Sequence, residues 1–306
     1  MQALGISEVV NSLISNRALV YQLTRRNIQI RFRGAALGIL WSLVTPILML
    51  AMYTLVFGTI LKVPWKSQGG GNLEFAAFLF AGLIVHSYFS ECLQQSTDLI
   101  TSNRQYVKKV VFPLTSLAWV AVLTPLFQVA ISTVVLLIFL SVFYQIFHWT
   151  IIFVPFLLFP LMLVALGASW IIAATAVYLR DISQMIGLIT LALLFVSPVF
   201  YERSMLPEAW QPWLYLNPIT RIVEQMRGAV LYGELPDLGG YVIYTVVAFL
   251  VAWLGNVWFQ RLRPGFADVV RSSGTGQWPR QVLPDLSASC RSITGGHFRT
   301  TPEISR

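Results

Sequence analysis

A run of about 70 residues without a charged side chain, from Val110 to Leu179, constrains the fold more than any other feature of the sequence. Its length is enough for two helices that cross a bilayer at roughly 20 to 25 residues each. Further apolar runs of similar length lie on both sides of it. The sequence therefore predicts an all-α polytopic membrane protein.

The composition excludes a soluble enzyme of this length. Hydrophobic residues make up 56% of the chain and charged residues 11%, against roughly 25% charged residues in soluble domains. A soluble protein of 306 residues needs more charges to cover its surface. The net charge of +8 does not indicate nucleic-acid binding, because the basic residues flank apolar runs, as they do on the cytoplasmic side of membrane proteins. The two cysteines have no disulfide or metal-site spacing, so no metal site is expected.

We predict six transmembrane helices within a domain that covers residues 34–263. The spans are residues 34–61, 73–92, 115–144, 151–178, 182–201 and 241–260. An even number of spans places both termini on one side, and most of the 21 lysines and arginines lie on that side. Both termini are therefore expected in the cytoplasm. Residues 264–306 include a stretch without periodicity and are predicted to form a disordered cytoplasmic tail.

Residues 1–33 are too basic to span a membrane and are predicted to form a cytoplasmic segment. Between Arg17 and Phe32, apolar side chains fall on one broad arc at helical spacing, and Arg25 and Arg26 fall on the remaining arc. This pattern predicts an amphipathic helix on the membrane surface. A basic flank that retains the first span is a compatible interpretation.

The segment from Leu99 to Pro113 is a short polar, basic connector between spans two and three. No phosphate-binding loop, H-E-x-x-H motif or pair of carboxylates within a span is found, so no catalytic residue and no bound cofactor are predicted. His86 is an ionisable residue within span two, which makes it a candidate for a proton relay. Because span two offers it no carboxylate partner, the evidence for such a relay is weak. The energy for any transport must then come from a soluble partner that acts on the connector.

The segment from Glu202 to Gly240 is rich in tryptophan and tyrosine and is interrupted by prolines. Such short apolar pieces are typical of interfacial or re-entrant helices rather than of a solvated loop. We therefore predict re-entrant gate helices between spans five and six.

Several motifs in the same order resemble the ABC-2 permeases that export polysaccharides. They are R-R-N-I-Q-I-R-F-R-G-A-A-L-G-I-L-W-S-L-V-T-P (25–46), N-R-Q-Y-V-K-K-V-V-F-P (103–113), Y-L-R-D-I (178–182), S-P-V-F-Y (197–201), L-N-P-I-T (216–220) and R-L-R-P-G-F-A-D (261–268). The resemblance implies a homodimer in the inner membrane, with a separate nucleotide-binding subunit that binds ATP and Mg²⁺. Its implied substrate is an undecaprenyl-linked polysaccharide, with O-antigen favoured and capsule or teichoic acid left as alternatives.

The resemblance also implies where the ATPase subunit docks, namely on the amphipathic helix and on the connector. The candidate docking residues are Arg17, Arg25, Arg26, Asn103, Arg104, Gln105, Tyr106, Lys108 and Lys109. Positive-inside retention is the alternative role for the basic residues among them.

Aromatic rings offer sugars flat apolar faces, which suits a polymer that slides through a channel. The candidate gate and channel residues are Trp41, Tyr53, Phe57, Phe195, Tyr201, Trp210, Trp213 and Tyr215. Interface anchoring and helix packing are the competing explanations for these rings. Small-molecule efflux remains open within the same class. A polytopic glycan ligase or polymerase remains open outside it, although such an enzyme needs an external loop with catalytic side chains.

Overall fold

The computed structural model describes residues 13–60, 72–103, 106, 112–145, 147–179 and 181–266. Within these residues all regular secondary structure is helical, as the apolar runs predict. Five of the described helices are long and apolar enough to cross a membrane: residues 38–57, 75–97, 115–144, 149–176 and 238–265. The protein is therefore a multi-pass membrane protein.

A helix, α1, runs over Arg17–Arg31, where the N-terminal helix was predicted. It lies against α4, Thr115–Tyr144, and buries Val20 in that contact. The positive φ of Gly34, 86°, lies in the left-handed region that glycine adopts without a steric penalty. This turn separates α1 from the first long apolar helix.

That helix, α2, runs over Trp41–Tyr53 and continues as a π-helix over Thr54–Ile60. Pro46 lies inside α2 and has no N–H with which to bond the carbonyl of Ser42. Gln128 of α4 donates its side-chain amide to this carbonyl at 2.9 Å. The proline therefore leaves a polar backbone group within an apolar helix, and a neighbouring helix supplies the missing donor.

The central helix, α3, runs over Asn72–Thr97 and packs against α4 and against α5, Val154–Ala176. It extends five residues beyond the predicted end of span two. The polar residues of this last turn satisfy backbone groups locally, since Ser96 donates to the carbonyl of Cys92 at 2.6 Å. The sequence pattern missed this extension because the apolar run ends at the first polar residues, whereas the helix continues through them.

The last long helix, α9, runs over Leu238–Leu262 and packs along α5 more extensively than any other pair of the described helices. The two backbones approach each other at Gly167 and Gly255. A Cβ added to Gly255 would lie 2.2 Å from the carbonyl oxygen of Gly167. Small residues permit such close contact between helices in a bilayer.

Between these two helices the chain forms α6, Ile182–Val196, then the short α7, Gln211–Leu214, and α8, Thr220–Arg227, which continues as a π-helix over Gly228–Tyr232. Span five was predicted over 182–201, but α6 has only 15 residues. At 1.5 Å per residue it is about 22 Å long, short of a hydrocarbon core of about 30 Å. Ser197 is extended before Pro198 and ends the helix.

Candidate functional site

The two predicted docking segments contact each other at Arg26 and Tyr106. The guanidinium of Arg26 donates to the hydroxyl of Tyr106 at 3.3 Å. The ring of Tyr106 stacks on Phe112, with the ring centroids 4.4 Å apart and the planes 16° from parallel. Because Phe112 lies three residues before α4, these contacts connect α1 to the start of that helix.

A second contact joins α1 to α3. Arg31 forms an ion pair with Glu91, and both side chains are partly exposed. Glu91 was expected at the end of span two, but it lies six residues before the end of α3. We call the end of α3 that carries this ion pair, together with α1 and the start of α4, the docking end of the protein.

Two of the remaining candidate docking residues, Arg17 and Arg25, are exposed on α1. Asn103 donates its side-chain amide to the carbonyl of Leu99 at 2.9 Å, which stabilises the turn after α3. Arg104, Gln105, Lys108 and Lys109 lie outside the described residues.

A groove with a cavity volume of about 320 Å³ opens between α2, α3 and α4. Trp41 and Tyr53, two of the predicted channel residues, line it together with Arg31 and Glu91. One end of the groove is therefore charged and its walls are largely apolar. The two charges at that end belong to one ion pair, so they largely neutralise each other.

The other predicted aromatic residues do not enter this groove. Phe57 makes an edge-to-face contact with Phe75, with the centroids 5.4 Å apart. Phe195 is exposed and stacks on Phe200. Tyr201 folds back to donate to the carbonyl of Val196 at 2.9 Å, so it satisfies the end of α6.

The segment that includes α7 and α8 contacts the half of α3 that is distant from the docking end. Phe78, which α8 contacts, precedes Glu91 by 13 residues, or about 20 Å along the helix. We call Arg203–Tyr232 the gate segment. Docking end and gate segment thus lie at opposite ends of α3.

The predicted gate aromatics lie on the surface of this segment. Trp210 and Trp213 are 64% and 67% exposed. The guanidinium of Arg203 lies 4.9 Å from the ring centroid of Tyr215 and also bonds the hydroxyl of this tyrosine. Tyr215 in turn donates to the carboxylate of Glu224 at 3.4 Å.

A polar cavity of about 500 Å³ lies behind the gate segment. Its lining includes the side chains of Glu202, Arg203, Gln211, Glu224, Arg227, Tyr232 and Glu234. Burial raises the pKa of the Glu224 carboxyl above its ordinary value, and the charges of nearby arginines oppose this shift.

The sequence reasoning missed Arg227, which is only 4% exposed. Its Nε donates to the carbonyl of Phe78 at 3.1 Å, and its Nη1 and Nη2 donate to the carbonyls of Pro198 and Val199, each at 2.7 Å. The guanidinium carbon lies 3.4 Å from the ring centroid of Phe78. The sequence did contain one indication that Arg227 is buried: at helical spacing it lies on the same apolar face of α8 as Val223.

His86 also has a structural partner. Its Nε2 lies 3.0 Å from the carbonyl oxygen of Thr190 on α6, within hydrogen-bond distance. Among the residues that the structure describes, no group of His, Cys, Asp or Glu side chains has a metal-site arrangement. The contacts of His86 thus join two helices.

Residues 18–231 match the ABC-2 type transporter family. The chain is 26% identical over 264 residues to the O-antigen export system permease protein RfbA of Myxococcus xanthus, which covers 86% of this chain and 99% of that protein. It is 22% identical over 256 residues to the protein of the same name from Klebsiella pneumoniae, covering 82% and 95% of the two chains. The polysialic acid transport protein KpsM of Escherichia coli is 23% identical over 241 residues, with coverage of 77% and 91%.

Proposed function

The chain belongs to the ABC-2 type transporter family, and from this premise we propose that it is the membrane subunit of an ATP-driven exporter of a lipid-linked surface polysaccharide, with O-antigen as the favoured substrate. The observation that carries the proposal is the similarity to the Myxococcus xanthus O-antigen permease, which extends over 99% of that protein. The similarity thus includes the docking end and the gate segment together.

Capsular polysaccharide is the second candidate substrate. The similarity to the polysialic acid transport protein favours it, since that relative is also matched over most of its length. Teichoic acid remains a third substrate of the same chemical kind, a polymer on a lipid carrier. The same docking end and gate segment serve all three.

A separate ATPase subunit is proposed to drive transport. Glu91 lies within α3, six residues before its end, but it is partly exposed and forms an ion pair with Arg31. An ion-driven transporter needs buried acidic groups along its pathway. The contact between Arg26 and Tyr106 supports docking at α1 and the connector, because a force on either segment reaches α4 through Phe112.

In the proposed membrane arrangement, α6 and the residues up to Tyr201 form a fifth of six spans, and the gate segment is re-entrant. Both termini and the docking end then face the cytoplasm, and the gate segment faces the outside. Two copies of the chain form the transporter. The lipid carrier stays in the bilayer beside the groove of Trp41 and Tyr53, while the sugars pass the exposed gate aromatics.

Co-purification in detergent tests the proposal. The chain is expressed with the ABC ATPase encoded beside it, and we expect the two to purify together and to restore surface polysaccharide to a strain that lacks both. The double variant Lys108→Glu, Lys109→Glu should reduce the recovered ATPase by about tenfold, because reversal of two charges opposes docking. Lys62→Glu, Lys66→Glu is the matched control on the opposite side of the predicted topology and should leave recovery unchanged.

Two results would contradict the proposal. One is a chain that turns over lipid-linked glycan alone, with no nucleotide, which would indicate a membrane enzyme. The other is placement of residues 104–109 outside the cell by labelling with a membrane-impermeant reagent, because the ATPase could then not reach its docking surface.

A further inference from the structure

The guanidinium of Arg227 donates hydrogen bonds to backbone carbonyls of two other elements. One carbonyl belongs to α3, and two belong to the chain that leaves α6. Together with its own helix, α8, the residue therefore joins three elements at one point. A buried arginine without such partners is strongly disfavoured, so this arrangement holds only while the three elements keep their relative positions.

Two backbone carbonyls just beyond the end of α6, those of Pro198 and Val199, accept hydrogen bonds from Arg227. Ser197 has extended dihedral angles, φ −74° and ψ 147°, as residues before proline prefer. The carbonyls beyond the helix end lack donors from the helix itself. The planar fork of Arg227 reaches those of Pro198 and Val199 together, which the single ammonium group of a lysine does not reproduce.

Gly82 makes room for this fork on α3. A Cβ added to Gly82 would lie 2.7 Å from Nη2 of Arg227 and 3.4 Å from the Cα of Val199. Because Phe78 and Gly82 are four residues apart, they lie on the same face of α3. The guanidinium thus lies over the Phe78 ring and against the backbone that the glycine leaves uncovered.

Asn217 forms a second link between two of these elements, the chain at the start of α8 and the end of α6. Its side-chain amide donates to the hydroxyl of Ser197 at 2.7 Å, and its carbonyl oxygen accepts from the backbone N–H of Ile219 at 3.0 Å. Asn217, just before α8, and Arg227, its last residue, therefore join the two ends of this helix to the chain at the end of α6. Both residues are buried.

We propose that Arg227 is a positioning residue that holds α8 on α3 and on the end of α6, so that the three move as one unit when the gate segment opens. The helix that contacts α1 through Glu91 is the same helix that Arg227 holds at its other half. Movement at the docking end then reaches the gate segment through α3. The transport part of this inference rests on the proposed function, whereas the positioning part does not.

Two variants remove the fork by different routes. Arg227→Lys keeps the charge and loses the paired donors. Gly82→Ala keeps every donor and acceptor and adds one methyl group in the path of the guanidinium, so it still tests the proposal if the lysine variant does not accumulate. The matched controls are Arg221→Lys on the same helix and Gly187→Ala on α6, where an added Cβ meets nothing within 4 Å.

The position of the gate is measured by double electron–electron resonance on the purified full chain. Spin labels are attached at Leu188→Cys on α6 and at Leu216→Cys before α8, both exposed positions, after replacement of Cys92 and Cys290. We expect both fork variants to shift or broaden the distance distribution, and both controls to match the parent. Export of polysaccharide in cells should fall about tenfold in the fork variants, the effect expected for loss of one charged hydrogen bond.

Each outcome decides the question. Parent-like distances in both fork variants overturn the proposal whatever export does, because the gate then keeps its place without the fork. Displaced distances with unchanged export overturn the role of Arg227 in transport. If the parent chain exports no polysaccharide, the proposed function fails, and the distances still decide whether Arg227 positions the gate.

Discussion

Gln128 donates to the carbonyl of Ser42 at 2.9 Å, and this is the backbone group that Pro46 leaves without a partner. The same relationship recurs between Tyr241 and Phe156, whose carbonyl lies four residues before Pro160 and accepts from the tyrosine hydroxyl at 2.9 Å. At Pro46 and Pro160 the proline thus leaves a backbone acceptor free, and a polar side chain of a neighbouring helix donates to it.

The pairing of Gln128 with Ser42 predicts a double-mutant cycle. Gln128→Leu should destabilise the protein by about 1 kcal/mol, the size of a hydrogen bond between transmembrane helices. Pro46→Ala restores the missing N–H, so the same leucine substitution should cost less in that background. Thermal unfolding in detergent measures both differences, and equal costs in the two backgrounds would show that the glutamine acts independently of the proline.

Close approach of α5 and α9 predicts a cost for any side chain at their contact. Gly255→Ala places a Cβ 2.2 Å from the carbonyl oxygen of Gly167, so the helices must separate and the unfolding midpoint should fall. Overpacking of this kind costs roughly 1 to 3 kcal/mol. Gly187→Ala, with open space around it, is the control and should be neutral. Equal midpoints for the two variants would contradict the packing.

Tyr106 is expected to matter through its ring more than through its hydroxyl. Tyr106→Phe loses the bond from Arg26 but keeps the stack on Phe112, so it should retain most of the co-purifying ATPase. Tyr106→Ala loses both contacts and should retain much less. Tyr21→Phe, at an exposed tyrosine of α1, serves as the control. Identical recovery in the alanine variant and the parent would argue against coupling through this ring.

The ion pair between Arg31 and Glu91 predicts recovery on charge exchange. Arg31→Glu and Glu91→Arg each bring like charges together, and the double variant restores an opposite pair. Because both side chains are partly exposed, each single variant should lower stability by no more than about 1 kcal/mol. The loss of stability in each single variant should become smaller as salt is added, because salt screens the charges. Unfolding midpoints measured at low and high salt test this, and a double variant no better than the singles would refute the pairing.

The sequence alone predicted the helical class, most of the long helices, the presence of a helix at α1 and the family. The helical class and the long helices follow from composition and periodicity, because a bilayer requires about 20 apolar residues for each crossing and each pattern lies within one segment. The family was predicted from the resemblance of several motifs instead. The length of α6 was not predicted, since the apolar run continues past Ser197 although Pro198 ends the helix there.

Within the candidate site, the resemblance to the ABC-2 permeases predicted the docking segments, and the aromatic, proline-interrupted pattern predicted the gate segment. Neither indicated which residues these segments contact. The bond between Arg26 and Tyr106 joins residues 80 positions apart, and the bond between Arg227 and Phe78 joins residues 149 positions apart. Which carbonyl a buried arginine meets depends on which helices are neighbours and on where a glycine such as Gly82 leaves space. Local sequence determined where the helices form, and only packing in three dimensions decided which polar groups satisfy one another between them.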